Sequence, residues 1–402
     1  MTGQVNIQVS AVWAAWRSIV FAMLFFVCCY PALAQQQAPV PAVSVTNQGG
    51  NTQSQAQTTQ DPGSGPCPPL WVYEGDHVMA LAFSPDGQWL ATTGSGHLHT
   101  TGEIHNYVTI WNAVTGKLVR RWETGQLSYQ IVFSPNGDQL AYSQNGKIEV
   151  RDFQKDTVLY TLAGGPLAYS PDGKILAIGW YRALRKSEID QSGQSRNSTV
   201  EIHDAATGKL LRAFDVSQFN IYALAITQDG ILFVGSCNDD DTCDGTVGDW
   251  SLASGKFLKN YDFEASHFSP DGRWAAIENQ SGDSGEVRVV DIATNTEMWS
   301  FDAAAATFSP DWKEVALRKQ NVIHLNSLGT GGKEIQTVPN GGGPLAFSPD
   351  GKKLAAANYR SQTQRQITCN SQHWPMTTSY SLLKIWDVAT GRELLTLGNQ
   401  AP

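Results

Sequence analysis

The sequence predicts an all-β fold, a seven-bladed β-propeller with four antiparallel strands in each blade. Three observations predict it. A Ser-Pro-Asp-Gly-like turn recurs seven times, each copy led by an apolar residue: Phe83, Phe133, Tyr169, Ile226, Phe268, Phe308 and Phe347. The steps between copies are 50, 36, 57, 42, 40 and 39 residues, near the period of a propeller blade. A second tight turn follows most copies, as in "VTIWNAVTGKLVRRW" from Val108, "VEIHDAATGKLLRAF" from Val200 and "LKIWDVATGRELLTL" from Leu383.

Residues 1–34 have the pattern of a signal peptide. Arg17 and the amino terminus supply a thin positive region, and "IVFAMLFFVCCY" from Ile19 to Tyr30 is an apolar stretch too short to span a bilayer. "ALA" from Ala32 to Ala34 is a small-x-small cleavage site before Gln35. The alternative is an uncleaved membrane anchor, because the positive region is long and weakly charged. Residues 35–66 are rich in Gln, Thr, Ser, Pro and Gly and nearly lack bulky apolar side chains. Such a composition cannot bury enough surface to offset ordering entropy, so a flexible linker is expected. The propeller is expected over 67–402.

Within each unit, residues such as Leu81-Ala82-Phe83 and Leu90-Ala91-Thr92-Thr93 suit short strands. Between them Pro85 presets φ for the second position of a type I turn, Asp86 tolerates the third, and Gly87 supplies the left-handed conformation. The Thr-Gly-Lys and Thr-Gly-Arg turns place Gly116, Gly208 and Gly391 where φ is positive. "LWVYEG" from Leu70 reads as one more outer strand, and so does "ELLTL" from Glu393. Either Leu70–Tyr73 or Glu393–Leu397 closes the last blade. The sequence leaves the choice open.

The run Ile385-Trp386-Asp387 and the "GDH" from Gly75 to His77 resemble the WD-repeat propeller family. The Ser-Pro-Asp-Gly turns are also similar to the propeller repeats of bacterial periplasmic proteins. The resemblance implies a ring of blades, and its motifs say almost nothing of function. Only two units keep Trp before Asn or Asp, Trp111-Asn112 and Trp386-Asp387. Elsewhere stand Arg151-Asp152, His203-Asp204, Val290-Asp291 and Leu325-Asn326. The family's side-chain hydrogen-bond tetrad is therefore expected to be incomplete in most blades.

The chain carries 28 basic and 37 acidic residues, a net charge of −9, and no basic cluster of size. This argues against nucleic-acid binding. Arg17 is the only charged residue before Gln35, so a cleaved chain is still more acidic. Of six cysteines, Cys28 and Cys29 leave with the signal. Cys67, Cys237, Cys243 and Cys369 remain, an even number that suits an oxidising compartment and allows three pairings. Cys237 and Cys243 share the loop "CNDDDTC" and pair locally in the simplest arrangement. That leaves Cys67 for Cys369, a staple across the ring closure. Free or differently paired thiols are the alternative.

Extra length collects between the second and third strands of units one, three, four, five and seven, the last reading "NYRSQTQRQITCNSQHWPMTTSYS" from Asn358. Units two and six have only "QNG" and "KQN" there. All these connections leave one side of the disc, while the turns on the other side are short. Insertions on one side of a repeat array mark a binding face.

Several residues on that face invite chemistry. His97, His99, Glu103 and His105 in "HLHTTGEIH" are of metal-ligand type, although such histidines in a polar loop are commonly just solvated. "NDDDTCDG" weakly mimics a calcium loop, but its twelfth position is Ser251 and not Glu. Trp180, Tyr181, Tyr359, Trp374 and Tyr380 offer either stacking surfaces or loop packing. Arg182 and Arg185 form a small basic group beside Lys186. No nucleophile elbow and no spaced Cys-His pair is present. The reading is a periplasmic or secreted propeller that acts as a protein-interaction scaffold through long loops on one face. It is expected to need no cofactor, to have no membrane span after signal cleavage, and not to be an enzyme. The alternative is a propeller enzyme, or a small-ligand or metal binder, working through the same face or the central channel.

Overall fold

The computed structural model describes residues 71–73, 77–97, 104–144, 146–180, 198–217, 220–237, 246–281, 284–320, 322–329, 333–339, 343–369 and 372–397. The signal segment and linker expected over 1–66 lie outside the described residues, as do Cys67 and Cys243. Strand β1 is Trp71–Tyr73. Blade 1 follows as β2 His77–Phe83, β3 Trp89–His97, β4 Ile104–Asn112 and β5 Leu118–Thr124. Blade 2 is β6 Gln130–Phe133, β7 Gln139–Gln144, β8 Lys147–Asp152 and β9 Thr157–Ala163. Blade 3 is β10 Leu167–Tyr169, β11 Ile175–Gly179, β12 Ser198–Asp204 and β13 Leu210–Ser217. Blade 4 is β14 Asn220–Ile226, β15 Ile231–Cys237, β16 Thr246–Ser251 and β17 Phe257–Tyr261. Blade 5 is β18 His267–Phe268, β19 Trp274–Ser281, β20 Ser284–Asp291 and β21 Thr296–Asp302. Blade 6 is β22 Ala305–Phe308, β23 Glu314–Lys319, β24 Val322–Ser327 and β25 Lys333–Pro339. Blade 7 is β26 Leu345–Phe347, β27 Lys353–Cys369, β28 Gln372–Asp387 and β29 Glu393–Leu397. Each blade is an antiparallel sheet in chain order, so the seven-bladed fold read from the sequence is the fold observed.

The repeated turn works as its residues require. Gly87 adopts φ +67°, and its N–H donates to the Ser84 carbonyl at 2.8 Å. The Ser84 hydroxyl donates to Asp86 Oδ1 at 2.5 Å and accepts the Trp89 N–H at 2.9 Å. Every blade repeats this clamp. Ser134, Ser170, Thr227, Ser269, Ser309 and Ser348 each bond the side chain two residues on. The hydroxyl is buried in all seven, so the polar group is satisfied where an apolar residue could not close the turn. In blade 6 the glycine is replaced by Trp312, which still takes φ +53°.

Seven apolar clusters fill the seven gaps between blades. Blade 1 meets blade 2 through Ile110, Ile131 and Leu140. Blade 3 meets blade 4 through Val200, Leu232 and Trp250. Blade 7 closes on blade 1 through Leu383, Ile385, Leu81, Leu90 and Trp111. Leu90 is fully buried, and a side chain of that size contributes about 1.5–3 kcal/mol on burial.

Closure resolves the choice left open between the two outer strands. Strand β29 is the antiparallel fourth strand of blade 7, with Leu383 registered on Leu397. Strand β1 pairs in parallel with the same edge of β28 further along, with Trp71 on Thr377 and Tyr73 on Ser379. Both fit because β28 runs for 16 residues. Neither strand displaces the other.

Candidate functional site

The long connection of unit seven is not a loop. Strands β27 and β28 continue as one antiparallel hairpin from the Lys353–Asp387 pair to the Cys369–Gln372 pair. Strand β27 has 17 residues and its counterpart β7 in blade 2 has 6. At about 3.3 Å per residue, this arm projects roughly 35 Å beyond the blade. A bulge between Thr363 and Arg365 bends it. Pro375 pairs with Gln366 and lies where, among the described residues, the other edge of β28 has no partner. An edge is where a strand tolerates a missing N–H.

Blade 1, next in the ring, is also prolonged on this side. Its β3–β4 hairpin runs out to the His97–Ile104 pair. Blade 5 extends to the Ser281–Ser284 pair, so its added residues too are hairpin and not loop. Blades 2 and 6 turn tightly at Gln144–Lys147 and Lys319–Val322. The additions of blades 3 and 4 lie mostly outside the described residues. Among the described residues the opposite side carries the serine-clamped turns and their partners, such as Asp204, whose Oδ1 accepts from the Thr207 N–H at 2.9 Å. Backbone topology therefore puts every described extension on one side of the disc, concentrated where blades 7 and 1 meet and β1 crosses between them.

The candidate residues divide. Gly96 is registered with His105 and His97 with Ile104. His105 Nδ1 lies 2.5 Å from Glu123 Oε1, and its ring stacks on Tyr107 at 6.3 Å. Arg121 sits over Tyr107 at 5.0 Å. Ile104 beside them is 63% exposed. His99 and Glu103 lie outside the described residues. Among the described residues no group of three metal-type side chains converges. Tyr359, Trp374 and Tyr380 lie along the arm, registered on Ser381, Ile367 and Arg360. Trp180 is part-buried where β11 ends, and its N–H donates to the Thr199 carbonyl at 2.9 Å. Tyr181, Arg182 and Arg185 lie outside the described residues. The backbone of Cys237 ends β15 and that of Cys369 stands near the arm's tip.

Sequence reasoning missed the polar groups that stitch blades together. Glu278 on β19 accepts the Ala306 N–H of blade 6 at 2.7 Å and lies 3.5 Å from His267 Nε2. Tyr142 of blade 2 accepts from Trp122 Nε1 of blade 1 at 3.0 Å and donates to Glu149. Burial, and the Glu149 carboxylate beside it, push the Tyr142 hydroxyl well above the usual phenol range. These are single polar residues in apolar strands, and no local motif announces them. Trp111 Nε1 donates to Thr92 Oγ1 at 3.1 Å. That bond is one limb of the tetrad that the WD-repeat resemblance implies. Ala356 stands at the matching place in blade 7, so Trp386 has no such hydroxyl there.

Comparison with known proteins agrees with this architecture. Residues 67–100 match the model of the WD domain, G-beta repeat. No curated protein matches the chain. Hydrazine synthase of Kuenenia stuttgartiensis shares the fold at 17% identity, with 70% of this chain and 92% of that chain covered and a TM-score of 0.54. A crystal structure of RRP9 WD40 repeats does so at 15% identity, with 69% and 86% covered and a TM-score of 0.53. At these identities the likeness concerns the fold alone.

Proposed function

We propose that this WD-repeat propeller is an exported interaction scaffold whose contact face is the side bearing the prolonged hairpins, centred on the arm of blade 7. The observation that carries the proposal is the asymmetry of the disc. One side has seven short clamped turns, six closing over five residues and that of blade 4 over four. The other carries a hairpin of 17 and 16 residues beside a second prolonged hairpin. Neutral lengthening would not choose one side. An isolated two-stranded hairpin is marginally stable in water, so a long arm fits a contact made with something else. Tyr107 and Arg121 on blade 1, next in the ring, are of the residue types enriched in protein interfaces. Export is supported by the residue pattern of 1–34, and disulfides by the even cysteine count that remains after it.

The test is capture from the periplasm or medium of the producing cell. One bait is the intact chain. The other has Gln364–Met376 replaced by Asn-Gly, a two-residue hairpin turn. This trim keeps the Thr363–Thr377 pair and the register partners of β1. The expected result is a partner held by the intact chain and lost with the trimmed arm. Equal recovery by both baits overturns the assignment of the contact to the arm.

A further inference from the structure

A different surface lies on the rim of the disc. In all seven blades the third and fourth strands are offset by one residue at the same place. The extra residue on the outer strand is apolar each time: Val119, Leu159, Leu211, Leu258, Met298, Ile335 and Leu394. A bulge of this kind sets two successive residues against one; Val119, Leu159, Leu211, Leu258 and Met298 are exposed, while Leu394 packs against the core between blades 7 and 1. The residue before it differs around the ring. It is Leu118, Val158, Leu210 and Phe257 in blades 1 to 4, and Glu297, Glu334 and Glu393 in blades 5 to 7.

The difference matters because these strands are open edges. Among the described residues β5, β9, β13, β17 and β21 each pair on one side only. Blades 5 and 7 blunt their edges. Glu297 pairs with Arg288 at 3.8 Å and Glu393 with Lys384 at 2.6 Å, and charges on an edge deter pairing with another chain. Blade 1 commits its arginines inward, Arg120 to the Phe153 carbonyl at 2.6 Å and Arg121 to Thr109 Oγ1 at 3.1 Å. Blade 2 has no basic residue on its outer strand. Blades 3 and 4 do the opposite of blades 5 and 7. Leu210, Leu211, Phe257 and Leu258 are 49%, 52%, 50% and 46% exposed. Lys209, Arg212 and Lys256 flank them, exposed, with the Asp204 carboxylate near enough to Lys209 to feel its charge. A Cβ added at Gly255 would meet Arg212 Cδ at 3.2 Å and Phe214 Cδ1 at 3.3 Å, so the turn into β17 lies beside β13.

We infer that the outer edge of β13, with the start of β17 beside it, captures an extended protein segment that alternates apolar with acidic residues and adds as a fifth strand to blade 3. An open strand edge offers a row of backbone donors and acceptors, which a peptide matches and a lipid headgroup layer does not. Leu210, Leu211, Phe257 and Leu258 receive the apolar side chains. Lys209, Arg212 and Lys256 select the acidic ones. Strand β13 has 8 residues, the length of a full pairing partner.

The ring itself supplies the control variant. Blades 5 and 7 carry glutamate where blade 3 carries Leu210, so Leu210→Glu is a residue this position accepts elsewhere in the fold. The probes are a fluorescent nonapeptide alternating valine with glutamate, its lysine counterpart, and vesicles of anionic lipid. The glutamate peptide is expected to bind the full chain at least about tenfold tighter than the lysine peptide. Binding should slow hydrogen exchange within Leu210–Val216, and Leu210→Glu should cut affinity about tenfold while the melting temperature is unchanged. Absence of peptide binding at millimolar concentration overturns the inference. So does equal binding by Leu210→Glu, protection confined to another strand, or capture of the vesicles in place of the peptide. The trimmed-arm chain should bind the peptide as the intact chain does, which separates this surface from the arm.

Discussion

Glu278 Oε1 accepts the backbone N–H of Ala306 at 2.7 Å and so ties the second strand of blade 5 to the first strand of blade 6. Burial alone pushes the Glu278 carboxyl up. The bonds and charges of His267, Ala306 and Arg318 together outweigh it and hold the carboxyl below its ordinary value of 4.5. The carboxylate therefore stabilises the fold fully above that value, and the contribution fades as pH falls through the lower folded value. Glu278→Ala leaves a buried N–H without its acceptor and should cost about 1–3 kcal/mol at pH 7. Glu278→Gln keeps an acceptor oxygen and should cost less. Urea midpoints of the wild type and the glutamine variant, compared from pH 7 to pH 3, should converge below 4.5. Parallel curves would show that the charge carries nothing.

Trp312 replaces the glycine of the other turns at φ +53° and stacks on Phe308 at 4.1 Å and 9°. The left-handed backbone costs a residue with a side chain about 1 kcal/mol, and an aromatic pair returns about 0.5–1.5 kcal/mol. Trp312→Gly should therefore fall within about 1 kcal/mol of the wild type. Trp312→Ala keeps the strain and loses the ring, so it should be the less stable of the two by about 1 kcal/mol. Denaturant titration of the three proteins decides it. An alanine variant as stable as the glycine one contradicts the account.

Thr92 and Trp111 are 4% and 8% exposed, so the bond between the indole N–H and the threonine hydroxyl is made away from water. Thr92→Val keeps the shape and removes the acceptor, at a cost of about 1–3 kcal/mol. Thr92→Ser restores an acceptor and should recover most of that loss. If valine and serine behave alike in thermal unfolding, packing and not the bond holds Trp111.

The blades were legible because each turn is local chemistry. Ser84, Pro85, Asp86 and Gly87 act within one short segment, and their recurrence counts the blades directly. The bulged apolar pairs were equally visible after each Gly-Lys, as in "GKLLR" from Gly208, but their exposure depends on the outer strand having no neighbour. The arm was not legible. Thr363, Gln364, Arg365 and Gln366 are polar on both faces, so alternation has nothing to report, and the pairing is made by the backbone alone. The parallel contact of Trp71 with Thr377 joins opposite ends of the chain, a relationship no local pattern encodes. Glu278 looked like any strand glutamate until blade 6 was set beside it.

That parallel contact bears on the cysteines. Strand β1 runs in the same direction as β28, so the chain enters it from the side of the arm's tip, where Cys369 is registered on Gln372. Cys67 precedes Trp71 by a stretch that extends at most about 14 Å, a reach that serves a bridge to Cys369 better than one to Cys237 on blade 4. A crosslink between Cys67 and Cys369 would close nearly the whole ring, with an entropic upper value of about 5 kcal/mol. Peptide mapping without reductant should recover Cys67 joined to Cys369. Recovery of Cys67 with Cys237 or Cys243, or as a free thiol, refutes the staple. Its mechanical role has a separate readout. Cys369→Ser should speed hydrogen exchange at Thr377, Thr378 and Ser379, which β1 holds. Leu383–Trp386, held by β29, should keep its protection, because that edge is closed by a strand of the same blade.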